Sequence, residues 1–358
     1  MKLCDVTLRE ATQLPDRDYT VEQRVAAGRA LDDLDVPLVQ AGFPAVGEDQ
    51  TEVVSTLADD LDGDVVAIAR GVESDVDAAL DAGADVVEVF VPVSDGQLEH
   101  VVGKSRAEMY ETAEACLDRV REGGATPHLT LMDGFRTEAS AVAAAFERFD
   151  CPVVVADTVG ARTPSFVAGY LRTLAESGVD LSRAGVHFHD DLGCATANAL
   201  VAAQAGVGRV DVSVASLGER AGNPATEEVV AATVQEGGDP GVATERLVPA
   251  CESVLDALDE DVDPRKPVLG REVTTHESGI HTDAMLSEPS VFEPFDPAAF
   301  GGERHLVFGA GTGRGAARKL LERADREPTD ERVAALLERL DEAGPVDLDA
   351  ALSLASSV

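Results

Sequence analysis

The sequence predicts an α/β protein, a (β/α)8 barrel of the TIM type followed by a C-terminal helical subdomain. Eight short runs rich in Val, Ile, Leu and Phe follow one another along residues 1–236. Amphipathic stretches lie between them, long enough for the crossover helices that parallel strands require. The chain has 358 residues, and a barrel of this type uses roughly 250, which leaves about 100 for an appended part.

The predicted elements of the barrel alternate along the chain. The strands are predicted at Leu3–Glu10, Val36–Phe43, Val65–Arg70, Val86–Pro92, Thr126–Met132, Pro152–Thr158, Gly185–Asp190 and Arg209–Leu217. Helices between them are predicted at Glu22–Leu34, Asp75–Ala82, Arg106–Arg121, Ala139–Phe149, Pro164–Ser177 and Ala195–Ala205. Because strand and helix alternate eight times, we expect residues 1–236 to form one catalytic barrel.

The alternation stops after the barrel. A helix is predicted at Glu245–Ala257, a Gly-rich stretch of low periodicity covers 296–315, and two helical runs close the chain. Residues 237–358 therefore predict a linker and a helical subdomain. They leave no room for a further regulatory domain of about 100 residues.

Composition excludes several classes of function. The formal net charge of −38 argues against nucleic acid or an anionic membrane as a partner, because phosphate binding needs a basic surface. The acidic residues are spread along the chain, which favours a halophilic surface over an acidic tail.

No apolar run approaches the ~20 residues of a membrane span. Five cysteines without CxxC spacing are typical of reduced thiols, and we expect a cytoplasmic protein.

Polar motifs stand at the ends of three predicted strands, where such barrels carry their chemistry. The first strand ends in TLREATQ, the seventh in HFHDD, and the eighth runs into SLGERAGN. Strand alternation points His187 and His189 to the same side. A single histidine is more often a core or surface residue, but unpaired polar groups on an apolar strand cost several kcal/mol, on the order of their desolvation. Two imidazoles and a carboxylate predict a divalent metal: Mg, Mn or Zn.

Five segments carry a family resemblance. They are DVTLREATQ, QAGFP, HFHDDLGCATANAL, SLGERAGNPATEEVV and THESGIHTDAML. In order and spacing they resemble the homocitrate, isopropylmalate and citramalate synthases, relatives of hydroxymethylglutaryl-CoA lyase. The resemblance covers nearly the whole chain.

The resemblance implies roles for particular residues. It implies three catalytic residues, namely Arg9, His276 and, near the substrate, Gln13. It implies four metal ligands: Glu10, His187, His189 and the amide oxygen of Asn223. Thr158 matches a residue that holds the 2-oxo acid carboxylate. Because the residue matching His276 reaches a neighbouring subunit's site in the family, a homodimer is expected.

The implied activity is a metal-dependent Claisen-type condensation of acetyl-CoA with a 2-oxo acid, followed by release of CoA. Glu10, the segment GCATANA and the missing regulatory domain favour 2-oxoglutarate, which would give homocitrate; 2-oxoisovalerate or pyruvate are the other possibilities. A second substrate carboxylate needs a basic partner. We expect His128 and Arg136, at and just after the end of the fifth strand, to supply it.

The chain also departs from the family pattern. The usual LRDGEQ reads LREATQ, a usual His reads Glu88, and GKHSG reads GAGTG. A Glu-Asp pair reads Met132-Asp133, which removes a carboxylate used in acid/base chemistry. Three hypotheses follow: a synthase in which Asp133, Glu88 or His128 takes over part of that role, an acyl-CoA lyase of the same superfamily, or a non-catalytic paralogue.

Overall fold

The computed structural model describes residues 1–358 as two compact units, Met1–Asp261 and Val262–Val358. The first unit contains a closed barrel of eight parallel strands, in which β1 pairs with both β2 and β8. The strands are β1 Lys2–Asp5, β2 Leu38–Gly42, β3 Asp64–Arg70, β4 Val86–Pro92, β5 Thr126–Met132, β6 Val153–Asp157, β7 Ala184–Phe188 and β8 Arg209–Val212. The predicted (β/α)8 barrel is confirmed.

Helices follow the strands around the barrel. They are α1 Thr7–Ala11, α2 Val21–Asp32, α3 Glu48–Asp60, α4 Glu73–Asp81, α5 Asp95–Gln97, α6 Arg106–Glu122, α7 Ala139–Arg148, α8 Pro164–Glu176, α9 Ala195–Gln204, α10 Thr226–Gln235 and α11 Leu247–Leu258. Helices cover the outer face of the strands and the barrel interior buries the inner face, so the strands have continuous apolar runs. Val153, Val154 and Val155 of β6 are fully buried in this way.

The first strand is shorter than predicted. The carboxylate of Asp5 accepts a hydrogen bond from the backbone N–H of Thr7 at 2.9 Å and another from the hydroxyl of Thr226 at 3.0 Å. These bonds turn the chain at the end of β1. Arg9 and Glu10 consequently lie on the short helix α1 rather than on a strand.

The first unit also continues beyond the predicted boundary at residue 236. Helix α11 packs against α2. The backbone N–H of Ala243 donates to the carbonyl of Leu34 at 2.9 Å, and the Arg246 guanidinium donates to the carbonyl of Asp33 at 3.1 Å. These contacts hold residues after 236 on the barrel's outer surface.

The second unit is mainly helical and has its own apolar core. Its elements are β9 Thr275–His276, α12 Gly279–Met285, β10 His305–Leu306, α13 Arg314–Arg323, α14 Asp330–Ala343 and α15 Leu348–Ser356. Leu320, Leu336 and Phe308 are fully buried in that core. No helix in the structure has the length and apolar character that crossing a membrane would require.

Candidate active site

A cavity of about 170 Å³ lies at the carboxyl ends of the barrel strands. We call it the mouth pocket. It is lined by Arg9, Glu10, Gln13, Ile68, Glu88, Phe90, Thr130, Met132, Ala156, Thr158, His187, His189 and Glu219. The pocket thus brings together residues of TLREATQ, HFHDD and SLGERAGN, as their places at strand ends predict.

Helix α1 places a buried ion pair in the pocket. Glu10 is fully buried, and its carboxylate contacts the guanidinium of Arg9. Arg9 Nε also donates to Gln40 Oε1 at 2.6 Å, which fixes the guanidinium at the pocket floor. Burial alone would raise the pKa of Glu10, but Arg9 and the His187 imidazole outweigh it and lower that pKa far below its ordinary value. Glu10 is therefore a carboxylate at any physiological pH.

The carboxylate of Asp211 fixes the orientation of the His187 imidazole. Its Nδ1 atom lies 3.1 Å from Oδ2 of Asp211, while its Nε2 atom lies 3.4 Å from Oε1 of Glu10. Asp211 is itself held by Arg209, whose Nε donates to Oδ1 at 2.7 Å. A carboxylate behind a histidine is the usual way to fix the tautomer of a metal ligand.

The second histidine faces the same point. His189 Nε2 lies 3.4 Å from His187 Nε2, and both rings are buried. Burial, followed by the neighbouring His187, lowers the pKa of His189 to about 3, so its imidazole is neutral. One donor atom from each of Glu10, His187 and His189 lies within 4.8 Å of the other two.

Asn223 contributes a buried acceptor without a partner. Its Nδ2 atom donates to the carbonyl of Phe188 at 3.0 Å, which leaves Oδ1 buried and unbonded. The amide oxygen lies over Gly218, where an added Cβ would stand 2.2 Å from it and 3.3 Å from Cβ of Glu10. Leaving a buried acceptor unsatisfied costs about 1–3 kcal/mol. A cation bound by Glu10, His187 and His189 would satisfy it, so the residues present fit a divalent metal.

Two other predicted residues line the pocket. Thr158 Oγ1 accepts a hydrogen bond from the backbone N–H of Asp133 at 2.8 Å, so its hydroxyl hydrogen is available to an acceptor in the pocket. The side chain of Gln13 lines the same cavity. Both residues therefore lie in the mouth pocket, where the sequence placed them.

The structure does not bring His128 and Arg136 into the mouth pocket. His128 lies near the start of β5 and lines a different cavity, at the amino ends of the strands, with its Nδ1 atom 3.1 Å from Nη1 of Arg209. Arg136 forms two hydrogen bonds of 2.7 Å with Asp133 and lies outside the barrel mouth. His128 therefore lies near the start of β5 and not at its end, where it was predicted. Arg136 does follow the end of β5, but its guanidinium is paired with Asp133 and does not line the mouth pocket.

His276 belongs to the second unit, where it is half-buried on β9. Its ring centroid lies 6.3 Å from that of His281. Burial lowers the pKa of His276 below its ordinary value, so the imidazole is mostly neutral at pH 7. The role implied for it by the resemblance stays a prediction.

Sequence reasoning missed the buried charges beneath the pocket. Arg209 contacts Asp211 and lies 2.5 Å from Oε2 of Glu88, and all three are at least nine-tenths buried. The sequence of β8 indicates part of this cluster, because Arg209 and Asp211 occupy alternate positions of the strand and therefore share its inner face. Their partners could not be predicted, because they come from strands distant in sequence.

The family models that match the chain cover most of it. Residues 1–254 match the model described as HMGL-like, and residues 268–346 match the one described as homocitrate synthase post-HMGL domain-like.

Several curated relatives are similar over nearly the whole chain. A homocitrate synthase AksA from Methanopyrus kandleri is 38% identical over 346 residues, covering 95% of this chain and 87% of the relative. A putative (R)-citramalate synthase CimA from the same organism is 36% identical, covering 96% of this chain and 69% of the relative. A probable 2-isopropylmalate synthase from Archaeoglobus fulgidus is 33% identical, covering 96% of this chain and 70% of the relative.

Solved structures with the same barrel include two HMG-CoA lyases. The Bacillus subtilis protein superposes with a TM-score of 0.64 at 20% identity, covering 74% of this chain and 95% of that one. The Brucella melitensis protein gives 0.63 at 22% identity, covering 72% and 99%. At these identities the likeness supports the fold alone.

Proposed function

We propose that this chain, which belongs to the HMGL-like family together with homocitrate, citramalate and isopropylmalate synthases, condenses acetyl-CoA with a 2-oxo acid and releases CoA. One observation carries the proposal. The carboxylate of Glu10 and the Nε2 atoms of His187 and His189 converge beside the guanidinium of Arg9 at the barrel mouth. Such a site suits an acid that binds through adjacent carboxylate and ketone oxygens.

Four residues would hold a divalent metal, namely Glu10, His187, His189 and Asn223. When bound, such an ion supplies Lewis acidity toward the ketone of the substrate. Mg, Mn and Zn all accept this mixture of oxygen and nitrogen ligands.

Residues of the chain would position the 2-oxo acid. The Thr158 hydroxyl, whose oxygen already accepts from Asp133, would donate to the substrate carboxylate. Arg9, held by Glu10 and Gln40, would stabilise negative charge that develops on the ketone oxygen. These groups are fixed before substrate arrives, so little reorganisation is needed during reaction.

The reaction itself joins two carbons. A base removes a proton from the acetyl methyl group, and the resulting enolate attacks the ketone carbon, whose oxygen takes up a proton. Water then hydrolyses the thioester, giving a carboxylate and the free thiol of CoA. We propose His276, neutral at pH 7, as the base, reaching the site of a neighbouring subunit in a homodimer.

Met132 favours a second candidate function. It lines the pocket where the family pattern has a carboxylate. Asp133 does not replace that carboxylate, because it is buried and bonded to Ser94 at 2.5 Å and to Arg136. Glu88 lines the pocket but is ion-paired with Arg209. A paralogue that binds a 2-oxo acid without turnover is therefore the alternative.

The test is release of CoA from acetyl-CoA by protein stripped of metal, with and without added Mn²⁺. The assay runs in molar KCl with a panel of 2-oxo acids. Release that needs both Mn²⁺ and one of the acids supports the synthase. Acid binding without release supports the non-catalytic paralogue, and cleavage of a 3-hydroxyacyl-CoA would point to a lyase.

A further inference from the structure

The mouth pocket has two chemically different sides. The proposed metal ligands come from α1, from β7 and the residue that follows it, and from the segment after β8. The opposite side consists of side chains from neighbouring strands, because Ile68 pairs with Glu88, Phe90 with Thr130, and Pro92 with Met132 in the parallel register. A substrate held by its oxygens on the first side would direct the rest of its carbon chain to the second.

Apart from Glu88 and Thr130, the second side is apolar. Ile68, Phe90, Met132 and Ala156 line it. Phe90 packs edge-on against Phe43, with ring centroids 5.8 Å apart, which fixes the ring as part of the wall. An alkyl group placed here would bury its surface against carbon atoms.

The one charged side chain on this side is the carboxylate of Glu88. Glu88 is 3% exposed. Its Oε1 atom accepts hydrogen bonds from Thr130 Oγ1 at 2.7 Å and from Gln40 Nε2 at 3.4 Å, and its Oε2 atom lies 2.5 Å from Nη1 of Arg209. Glu88 is thus ion-paired inside the barrel with Arg209, and its carboxylate opposes the entry of a second anion.

No guanidinium on this side is available to a ligand carboxylate. Arg209 is shared between Glu88 and Asp211 and does not line the mouth pocket. Arg9 lines the pocket, but it is held by Glu10 and Gln40 next to the metal ligands. A second carboxylate of 2-oxoglutarate would thus lose its water without gaining a partner.

We infer that the 2-oxo acid used by this chain is a monocarboxylic acid with a short, uncharged alkyl side chain, and that Glu88 excludes dicarboxylic acids. The inference rests on the proposed function, since it concerns the acid bound at that site. The alkyl group contacts Ile68, Phe90 and Met132. The inferred acid differs from 2-oxoglutarate, which the sequence favoured.

The first test compares kcat/KM for CoA release with pyruvate, 2-oxobutyrate and 2-oxoisovalerate against 2-oxoglutarate and oxaloacetate, in the presence of Mn²⁺. We expect one monocarboxylic acid to exceed both dicarboxylic acids by on the order of 100-fold or more, because unpaired buried charge discriminates strongly. Equal or higher kcat/KM with a dicarboxylic acid overturns the inference.

Two variants test the residues named. Glu88→Gln removes the opposing charge, and Met132→Lys places an ammonium group on the alkyl side at nearly unchanged length. Each should raise the ratio of dicarboxylic to monocarboxylic kcat/KM by about 10-fold or more. Met132→Gln, a polar but uncharged control, should change that ratio far less than Met132→Lys. Glu88→Gln could fail to fold because Arg209 loses its ion pair, and Met132→Lys then serves as the test. An unchanged ratio of kcat/KM values in Met132→Lys counts against the inference.

A binding measurement separates this inference from the proposed function. If no acid releases CoA, the synthase proposal fails, and calorimetric titration of each acid into Mn²⁺-loaded protein decides the specificity. Tighter binding of a monocarboxylic acid upholds the inference. Equal or tighter binding of 2-oxoglutarate, or no binding of either class, refutes it.

Discussion

The Nδ1 atom of His187 lies 3.1 Å from Oδ2 of Asp211, and this contact directs the other ring nitrogen, Nε2, toward Glu10 and His189. Asp211 is fixed in turn by Arg209 on the same strand. The orientation of a proposed metal ligand thus depends on a buried carboxylate that does not itself touch the proposed metal site.

Replacing Asp211 with Asn should weaken metal binding. The amide keeps the size of the carboxylate but loses the charge that fixes the imidazole, and such changes typically cost 10–100-fold in metal affinity. Calorimetric titration with Mn²⁺ measures the effect. Asp60→Asn, which changes a surface carboxylate paired with Arg29, is the matched control. Equal Kd values for Asp211→Asn and wild type would show that the contact has no role in orienting the ligand.

Gly218→Ala should displace the Asn223 amide. The added Cβ would stand 2.2 Å from Oδ1 of Asn223, a distance that forces the amide to move. We expect Mn²⁺ affinity to fall by about 10-fold or more, as for other disturbed metal-site neighbours. Gly96→Ala, where an added Cβ meets no atom within 4 Å, controls for the substitution itself. An unchanged affinity in Gly218→Ala would remove Asn223 from the proposed ligand set.

Met132→Glu should increase the rate of CoA release. Met132 lines the pocket at the position of the missing acid/base carboxylate, and a positioned general acid or base contributes typically 10²–10⁴-fold. We expect a rise in kcat of about 10-fold or more over wild type, with Met132→Gln as the uncharged control. A kcat that does not rise would mean that the chain has no need of this carboxylate.

Acid should destabilise the barrel partly through His128. Burial, together with the neighbouring Arg209, lowers the pKa of this imidazole to about 4 in the folded chain, against about 6.5 unfolded. The folded state therefore favours the neutral ring. The contribution of His128 to the free energy of unfolding is fully present above pH 6.5 and is lost as the pH falls from there toward 4. Between pH 7 and 5 this loss amounts to about 2 kcal/mol.

Urea denaturation of wild type and His128→Gln at several pH values, in molar KCl, measures this contribution. Glutamine keeps an acceptor for Arg209 but does not titrate. The free energy of unfolding of the variant should fall by about 2 kcal/mol less than that of wild type between pH 7 and 5. Parallel losses in the two proteins would contradict the assignment to His128.

The eight strands and the two histidines were predictable because both depend on local pattern. Apolar runs of strand length recur at regular intervals, and the alternation in HFHDD places His187 and His189 on one side. Each of these features can be read within one segment of the chain.

The predictions that failed concern residues whose location depends on their position along a strand or on contacts between strands. His128 is on the predicted strand but near its start, so it lies toward the opposite end of the barrel from the mouth. The turn at Asp5, which moves Arg9 and Glu10 onto a helix, depends on a hydrogen bond from Thr226. The ion pair of Glu88 with Arg209 likewise joins strands that are far apart in sequence, so it could not be predicted from either strand alone.

The proposed reaction depends most on a single metal ion held by Glu10, His187, His189 and Asn223. Electron paramagnetic resonance of free Mn²⁺, titrated with protein in molar KCl to screen the acidic surface, counts the tightly bound ions. We predict one tight ion per wild-type chain and none in His189→Ala, with circular dichroism confirming that the variant is folded. A wild-type chain that binds no ion tightly, or a His189→Ala variant that retains its ion, would contradict the proposed metal site.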